Sequence, residues 1–318
     1  MLHLRLITPA DRTDDVVAAV RKTVGTAHLV VLPGAARDPV GDVVMCDIAR
    51  EAADELLGAL RALGVDRAGS IAVESIGLSL SKRADRAERE APGEAADAVL
   101  WEELTEATHE ESTLSVTYLA FITLATMIAA CGVVLDNAVL VVGAMAVGPE
   151  FGPLAGIATA LVRKAPRLAL RSLVALLAGF ALAMAVTAGF SVLMDALGLF
   201  SKARLEGPRP NTDFVYAPDA FSFVVAVLAG TAGTLSLTSA KSGALVGVAI
   251  SVTTVPAAAN AAVALAYGDT AQTWGSTAQL LLNLFGIVLA GTLTLLVQKY
   301  LWSRQRDRAP AEVRRSAS

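Results

Sequence analysis

The sequence predicts an α-helical polytopic membrane protein that carries an α/β domain at its N-terminus, and two observations predict this fold class. Residues 1–113 contain 12 Lys and Arg against 21 Asp and Glu, whereas residues 114–318 contain 14 against 9. In the second part, apolar runs exceed the roughly 18 residues that indicate a transmembrane helix. The chain averages, 54% hydrophobic residues and a net charge of −4, therefore combine an acidic soluble part with a membrane part.

The composition also excludes several classes of protein. The chain is too apolar to be disordered or purely soluble, and its cysteines, Cys46 and Cys131, are too far apart to indicate a small disulfide-stabilised secreted domain. A generally basic nucleic-acid-binding protein is excluded by the net negative charge, so no nucleic-acid partner is expected. The N-terminus lacks the uninterrupted apolar segment of a cleavable signal peptide. We therefore expect the first domain to be cytoplasmic.

The first 81 residues alternate between strand and helix patterns. Period-two alternation predicts strands at 2–8, 27–32, 42–48 and 70–80, and helical spacing predicts helices at 11–24 and 51–63. A turn-rich segment, 33–41, joins the second and third strands. The order β-α-β-β-α-β predicts a ferredoxin-like domain over 1–81. His3 and His28 fall in predicted strands and are interpreted as structural, and Cys46 as a buried small side chain.

Residues 82–113 form a charged, alanine-rich helical connector. Its acidic cluster contains residues at helical spacings that suit a divalent cation, but a solvated acidic face is the simpler interpretation. We therefore expect no metal site there. The cluster consists of Glu102, Glu103, Glu106, His109 and Glu110.

Six apolar spans follow in the membrane domain, 114–301, and each is close to the roughly 20 residues that cross a bilayer. They cover 114–135, 138–162, 168–193, 221–239, 243–266 and 277–301. With a cytoplasmic first domain and a basic cytoplasmic tail, 302–318, Lys and Arg concentrate on the inner side. The sequence thus predicts a multi-pass protein of the bacterial inner membrane with both termini in the cytoplasm. The inner basic residues are Arg163, Lys164, Arg167, Arg171, Lys241, Lys299, Arg304, Arg306, Arg308, Arg314 and Arg315; the outer ones are Lys202, Arg204 and Arg209.

Two of these spans carry helix-breaking residues at corresponding positions. Proline removes a backbone donor and clashes with the preceding turn, so the second span should break within 148–153 and the fifth at Pro256. Two groups of three spans would then form an inverted repeat with broken helices two and five. Glycines spaced by four residues offer close helix packing as a competing explanation, and they favour a homo-oligomer. Packing does not explain Glu150, an ionisable residue near the middle of the second span.

The broken spans define a candidate path for an ion or polar solute. Freed backbone groups in a membrane are tolerated where they are buried in protein or line a watered cavity. Each hydroxyl in these spans can instead bond to its own helix, and each amide can instead form a structural bond between helices. The candidate path residues are Gly148, Pro149, Glu150, Gly152, Pro153, Thr253, Thr254, Pro256, Asn260 and Asn283.

Two sequence blocks resemble the family called domain of unknown function 389, a family of bacterial membrane proteins. The first is Val-Gly-Ala-Met at 142–145 followed by Pro149 and Gly152-Pro153, and the second is Gly-Val-Ala-Ile at 247–250 followed by Val255-Pro256. The resemblance covers 114 to about 301 and implies a short cytoplasmic α/β domain before a hydrophobic region. The family commonly has an apolar residue in place of Glu150 and two consecutive prolines in place of Pro256-Ala257.

A transporter or channel for an ion or small polar solute, with a cytoplasmic regulatory or assembly domain, is the function that these features favour. The alternative is a membrane-anchored sensor or scaffold whose spans serve oligomerisation. The chain has no HExxH, GxSxG or P-loop motif and no pair of membrane aspartates, so no enzyme activity is expected. We expect no cofactor; the expected partners are the lipid bilayer, a second copy of the chain and an unidentified solute.

Overall fold

The computed structural model describes residues 1–91, 98–216, 220–239 and 254–308. It divides into two compact units, and the first contains Met1–Glu102. The second contains Glu103–Leu237 and the helices from Thr254 to Gln298.

The first unit is a four-stranded antiparallel sheet covered by helices. Its strands are β1 (Leu2–Thr8), β2 (Thr26–Arg37), β3 (Val40–Ile48) and β4 (Ser70–Ser75). They follow the spatial order β2-β3-β1-β4. Alternate residues of β1, Leu2, Leu4 and Leu6, are buried against helical positions such as Val16 and Leu56 because side chains alternate between the two faces of a strand. The helices are α1 (Thr13–Lys22), α2 (Arg50–Ala62), α3 (Val65–Ala68) and α4 (Lys82–Glu90).

The second and fourth strands differ from their predicted lengths. β2 continues to Arg37, so most of the predicted turn 33–41 is strand, with a register shift between Leu32 and Ala36. Gly34 adopts a left-handed conformation (φ +63°) there, which lets the strand bulge and continue. β4 ends at Ser75 rather than at residue 80, and the alternating leucines beyond it are exposed to solvent.

Asp42 fastens this bulge to the start of α1. Its carboxylate accepts a hydrogen bond from Thr13 Oγ1 at 2.6 Å and another from the backbone N–H of Gly34 at 2.7 Å. These two hydrogen bonds hold the pKa of Asp42 below its ordinary value of 3.8, although burial acts in the opposite direction. The ionised side chain therefore stabilises the hairpin.

Acidification is expected to destabilise the first unit through Asp42. Because the folded-state pKa is lowered, this contribution is complete above the ordinary pKa of 3.8 and is lost as the pH falls through the folded-state value. Calorimetric scans of the full-length protein between about pH 6 and pH 3 should show a smaller loss of Tm in Asp42→Asn than in the wild type. Asp38→Asn, in the exposed hairpin turn, should keep the wild-type dependence; equal pH dependence in all three proteins would contradict the assignment.

The two strand histidines share one carboxylate. His3 Nδ1 lies 2.7 Å from Asp47 Oδ1, and His28 Nδ1 lies 2.6 Å from Asp47 Oδ2. Burial alone would raise the pKa of Asp47, but the hydrogen bonds from His28 and His3 lower it. Since His28 also contacts Ser81 at 2.8 Å, this cluster links the strands to the residue that caps α4, which fits a structural role for both histidines.

The second unit is helical, and its long helices are apolar. Among the described residues, four helices are long and apolar enough to cross a membrane: Val116–Val134, Pro166–Ala196, Ala220–Thr238 and Thr270–Leu301. A fifth candidate is the pair of helices Ala138–Val147 and Phe151–Arg163, which are bent by 53° relative to each other. The helices are α5 (Trp101–Glu111, which begins in the first unit), α6 (Val116–Val134), α7 (Ala138–Val147), α8 (Phe151–Arg163), α9 (Pro166–Ala196), α10 (Lys202–Glu206), α11 (Ala220–Thr238), α12 (Thr254–Ala266) and α13 (Thr270–Arg308).

The predicted fifth span is described only in its second half. Residues 240–253 lie outside the described part of the chain, and α12 begins at Thr254. Pro256 does not break this helix because it lies in the first turn, where a missing backbone N–H is tolerated. A break upstream of Thr254 falls outside the described residues, so the six-span arrangement stays a prediction.

α12 is enclosed by other helices on all sides. Every residue from Thr254 to Ala264 is buried, and the helix contacts α6, α9 and α7. Seven of its thirteen residues are alanines, and such small side chains let neighbouring helices approach closely. This central helix presents its polar residues, Thr254 and Asn260, to the protein interior and not to lipid.

Candidate functional site at the break in the second span

The predicted second span is interrupted at residues 148–150, as its proline and glycine content predicts. α7 ends at Val147 and α8 begins at Phe151 because Pro149 lacks the N–H that a continuous helix would need. About 15 Å of helix precedes this break and about 20 Å follows it, at 1.5 Å per residue. The break therefore falls near the middle of the apolar segment.

Glu150 is buried at this break. It is the residue that precedes the first turn of α8, yet its side chain makes no capping bond to that helix, although acidic side chains commonly do so. Its Oε1 instead accepts a hydrogen bond from Thr254 Oγ1 at 2.6 Å. Its Oε2 has no hydrogen-bond partner within the described chain, and the residue is only 5% exposed. The carboxyl group thus joins the broken second span to the first residue of α12 and keeps one oxygen available.

Gly148 provides the space for this carboxyl group. A Cβ atom at residue 148 would collide with Glu150 Oε2 and would lie 2.8 Å from Val255 Cγ2. Any larger residue would therefore displace the carboxyl group from its position beside α12. Gly148, which we predicted to line the path, is therefore needed here to accommodate the side chain of Glu150.

Tyr118 is a further member of the site that sequence reasoning missed. This residue of α6 is 6% exposed, its hydroxyl has no hydrogen-bond partner within the described chain, and it is close enough to interact electrostatically with Glu150. Its ring packs on Gly179 of α9, where an added Cβ would lie 2.8 Å from Cε1. A tyrosine in an apolar span gives no sequence signal for this placement, since aromatic residues are common in such spans.

Gly152 and Gly156, which follow the break, pack closely against other residues of the same chain. A Cβ at Gly152 would lie 2.5 Å from the Cβ of Glu111, and one at Gly156 would lie 2.6 Å from Ser112 Oγ. Close packing thus explains Gly152 and Gly156, as the competing interpretation proposed. Pro153 lies in the first turn of α8 and is buried, so it continues the helix.

Asn260 belongs to a separate buried cluster around Arg209. Arg209 donates from Nη1 to Asn260 Oδ1 at 2.9 Å and from Nη2 to Gln272 Oε1 at 2.8 Å. Asn260 Nδ2 donates to Ser276 Oγ at 2.7 Å, and the guanidinium carbon lies 5.0 Å from the ring centroid of Tyr216. The amide therefore forms bonds between helices, one of the two roles that the sequence left open.

The environment of Arg209 is unusual for a residue in a predicted outer loop. It is 4% exposed, and burial lowers its pKa, whereas Tyr216, Asp136 and Asp269 act in the opposite direction. Its side chain makes no ion pair with any carboxylate among the described residues. Its charge is instead stabilised by neutral side-chain oxygens and by the face of an aromatic ring. Sequence reasoning counted Arg209 only as an outer basic residue.

The remaining predicted path residues are not all brought together. Asn283 is buried on α13, two turns beyond Ser276, and Pro256 is buried in the first turn of α12. Thr253 lies outside the described residues. The structure therefore joins Gly148, Glu150 and Thr254 in one place and Asn260 in another.

Comparison with known protein families finds a match within the region of apolar helices. Residues 145–289 match the family described as "Domain of unknown function (DUF389)". Over these residues the chain is similar to this family. This confirms the resemblance inferred from the two sequence blocks, and the DUF389 region includes Glu150, Thr254, Arg209 and Asn260.

A distant relative and the solved structures add little about activity. An uncharacterised protein of Methanocaldococcus jannaschii is 24% identical over 223 residues, which cover 69% of this chain and 67% of the relative. No solved structure shows a significant match. The DUF389 assignment and the apolar helices together indicate a membrane protein of unknown function.

Proposed function

We propose that this DUF389 protein is a transporter or channel for an ion or small polar solute, with its path at the break in the second span. The observation that carries the proposal is the buried carboxyl group of Glu150, which binds Thr254 through one oxygen and leaves the other without a partner in the described chain. An ionised carboxylate in an apolar interior costs several kcal/mol unless a partner compensates its charge. A proton or a small cation would be such a partner.

The proposed architecture has six spans with both termini in the cytoplasm of a bacterial cell. The four long apolar helices, the bent pair and α12 as part of the fifth span support this number. The concentration of Lys and Arg in the loops on one side supports the orientation.

We assign the first unit to the ferredoxin-like class and propose that it regulates or assembles the membrane domain. The spatial strand order β2-β3-β1-β4 with antiparallel neighbours supports this class. A homo-oligomer stays part of the proposal, but Gly152 and Gly156 do not support it because contacts within the chain already occupy both positions.

Cation flux through Glu150 can be tested in liposomes. The purified protein should be reconstituted in liposomes that contain a dye sensitive to the cation under test, with imposed gradients of H⁺, Na⁺ or K⁺ in turn. We expect flux of at least one cation above that of empty liposomes, and at least a tenfold loss in Glu150→Gln, because glutamine keeps the shape of the side chain but neither binds a proton nor carries charge. A buried charged group with few partners commonly marks an ion pathway.

Glu206→Gln is the matched control because Glu206 is the exposed last residue of α10 and pairs with Lys202 at 3.6 Å. This control should leave the flux unchanged. Wild-type flux in Glu150→Gln would overturn the role of Glu150. Absence of flux for all three cations would overturn the ion path and favour the sensor or scaffold alternative.

A further inference from the structure

A shallow open groove lies beside the first two turns of α9, away from the Glu150 site. Its volume is about 400 Å³. It is formed by α9 and by the segment that leads into α6, and it combines two arginines with apolar side chains. The lining residues are Ser112, Leu114, Arg167, Leu170, Arg171 and Val174.

The two arginines bring uncompensated positive charge to this groove. Arg171 donates from Nη2 to Thr113 Oγ1 at 2.5 Å, and its Nη1 lies 3.0 Å from His109 Nε2. Neither partner is a carboxylate, so these contacts position the guanidinium group without cancelling its charge. Arg167 lies one helical turn away and is exposed. Neither arginine forms an ion pair with a carboxylate in the described part of the chain.

The rest of the groove is apolar and faces outward. Leu114 is 44% exposed, Leu170 64% and Val174 47%. Leu170 and Val174 lie on α9, which carries no further charge between Arg171 and Asp195. The groove therefore runs from a basic end toward the lipid-facing surface of a long apolar helix.

The position of the arginines fits the headgroup level of a bilayer. They occupy the second and sixth positions of α9 (Pro166–Ala196), at the end of its uncharged segment, where basic side chains commonly meet the membrane interface. A soluble phosphate would contact the arginines alone and would leave the three apolar side chains exposed to water. A phospholipid would contact both parts of the groove.

We propose that this groove binds an anionic phospholipid, whose phosphate contacts Arg167 and Arg171 and whose acyl chain lies along Leu114, Leu170 and Val174. Charge complementarity selects an anionic headgroup over a zwitterionic one. Because none of these side chains contributes to the Glu150 site, the inference does not depend on the proposed transport function.

Native mass spectrometry of the full-length protein in detergent tests the proposal. The protein should be titrated with phosphatidylglycerol and, separately, with phosphatidylcholine. We expect phosphatidylglycerol to bind at least tenfold more tightly, and we expect the Arg167→Gln/Arg171→Gln variant to lose roughly 25-fold in affinity, since each basic residue near an anionic lipid contributes roughly a factor of five.

The matched control is Arg163→Gln/Lys164→Gln, which removes the same charge from the neighbouring turn without changing the groove lining. It should retain tight phosphatidylglycerol binding, whereas equal losses in both double variants would overturn the groove as the site. Leu170→Trp, at an exposed position that should not affect folding, should fill the groove and weaken lipid binding. Glycerol 3-phosphate should not displace the lipid; displacement would instead indicate a soluble phosphate site and would overturn the lipid assignment.

Discussion

Replacement of Arg209 by methionine is expected to destabilise the membrane unit by about 3 kcal/mol, because two acceptors, one buried and one partly buried, would lose the guanidinium donor at a cost of roughly 1–3 kcal/mol for the buried one and less for the other. These acceptors are Asn260 Oδ1 and Gln272 Oε1. Methionine has a similar length and fills much of the space, so the loss of hydrogen bonds, and not a cavity, should dominate. The measurement is the free energy of unfolding in a detergent titration.

Arg204→Met is the control for this prediction. Arg204 is an exposed arginine of α10 that donates to the carbonyl oxygen of Leu199 at 3.0 Å, and its loss should change stability by less than about 0.5 kcal/mol. A double-mutant cycle with Asn260→Leu should show that the two losses are not additive, since these residues share one bond. Additive effects, or an unchanged stability in Arg209→Met, would contradict the role of Arg209 as the buried link between its loop and α12.

Substitution of Gly148 by alanine is expected to have a second large effect, at the Glu150 site. The new methyl group would collide with Glu150 Oε2 and press on Val255, so the carboxyl group must leave its place beside Thr254. Overpacking of this kind costs about 1–3 kcal/mol of stability. Under the proposed function, cation flux should also fall at least tenfold, as in Glu150→Gln. Thermal unfolding and the liposome assay measure the two effects.

Gly143→Ala offers a close comparison on the preceding helix. No heavy atom lies within 4 Å of a Cβ built at Gly143, so the same substitution should leave both stability and flux unchanged. Alanine is also the better helix former. An equal loss of flux in both variants would show that displacement of the Glu150 carboxyl group is not the cause. It would contradict the proposed role of Gly148 in positioning Glu150.

The Glu150 site could be predicted in part because the relevant signals are local. Proline and glycine at 148–153 determine where a helix breaks, and an isolated carboxylate in an apolar span is conspicuous in any sequence. Thr254 could be proposed as its neighbour because Pro256 marks the corresponding part of the fifth span. In the structure a hydrogen bond joins Thr254 to Glu150, 104 positions apart in the sequence.

Arg209 and the extension of β2 could not be predicted, for different physical reasons. Arg209 lies between Pro208 and Pro210, in a segment whose composition indicates a loop, and its burial depends on a contact with a helix 51 residues away. In β2, Pro33 and Gly34 favour a turn locally, but pairing with β3 continues to Arg37. In both cases tertiary contacts decide the outcome, and these leave no periodic pattern in the sequence.

The burial of α12 has a consequence for how the protein is made in the cell. The amide of Asn260 donates to Ser276 on α13, so this hydrogen bond forms only after the chain has been extended into α13. An unsatisfied amide and an alanine-rich surface favour neither lipid nor water strongly. The central helix can therefore pack against α6, α7 and α9, which precede it in the chain, but the hydrogen bonds of its buried amide are completed only when the start of α13 folds against it.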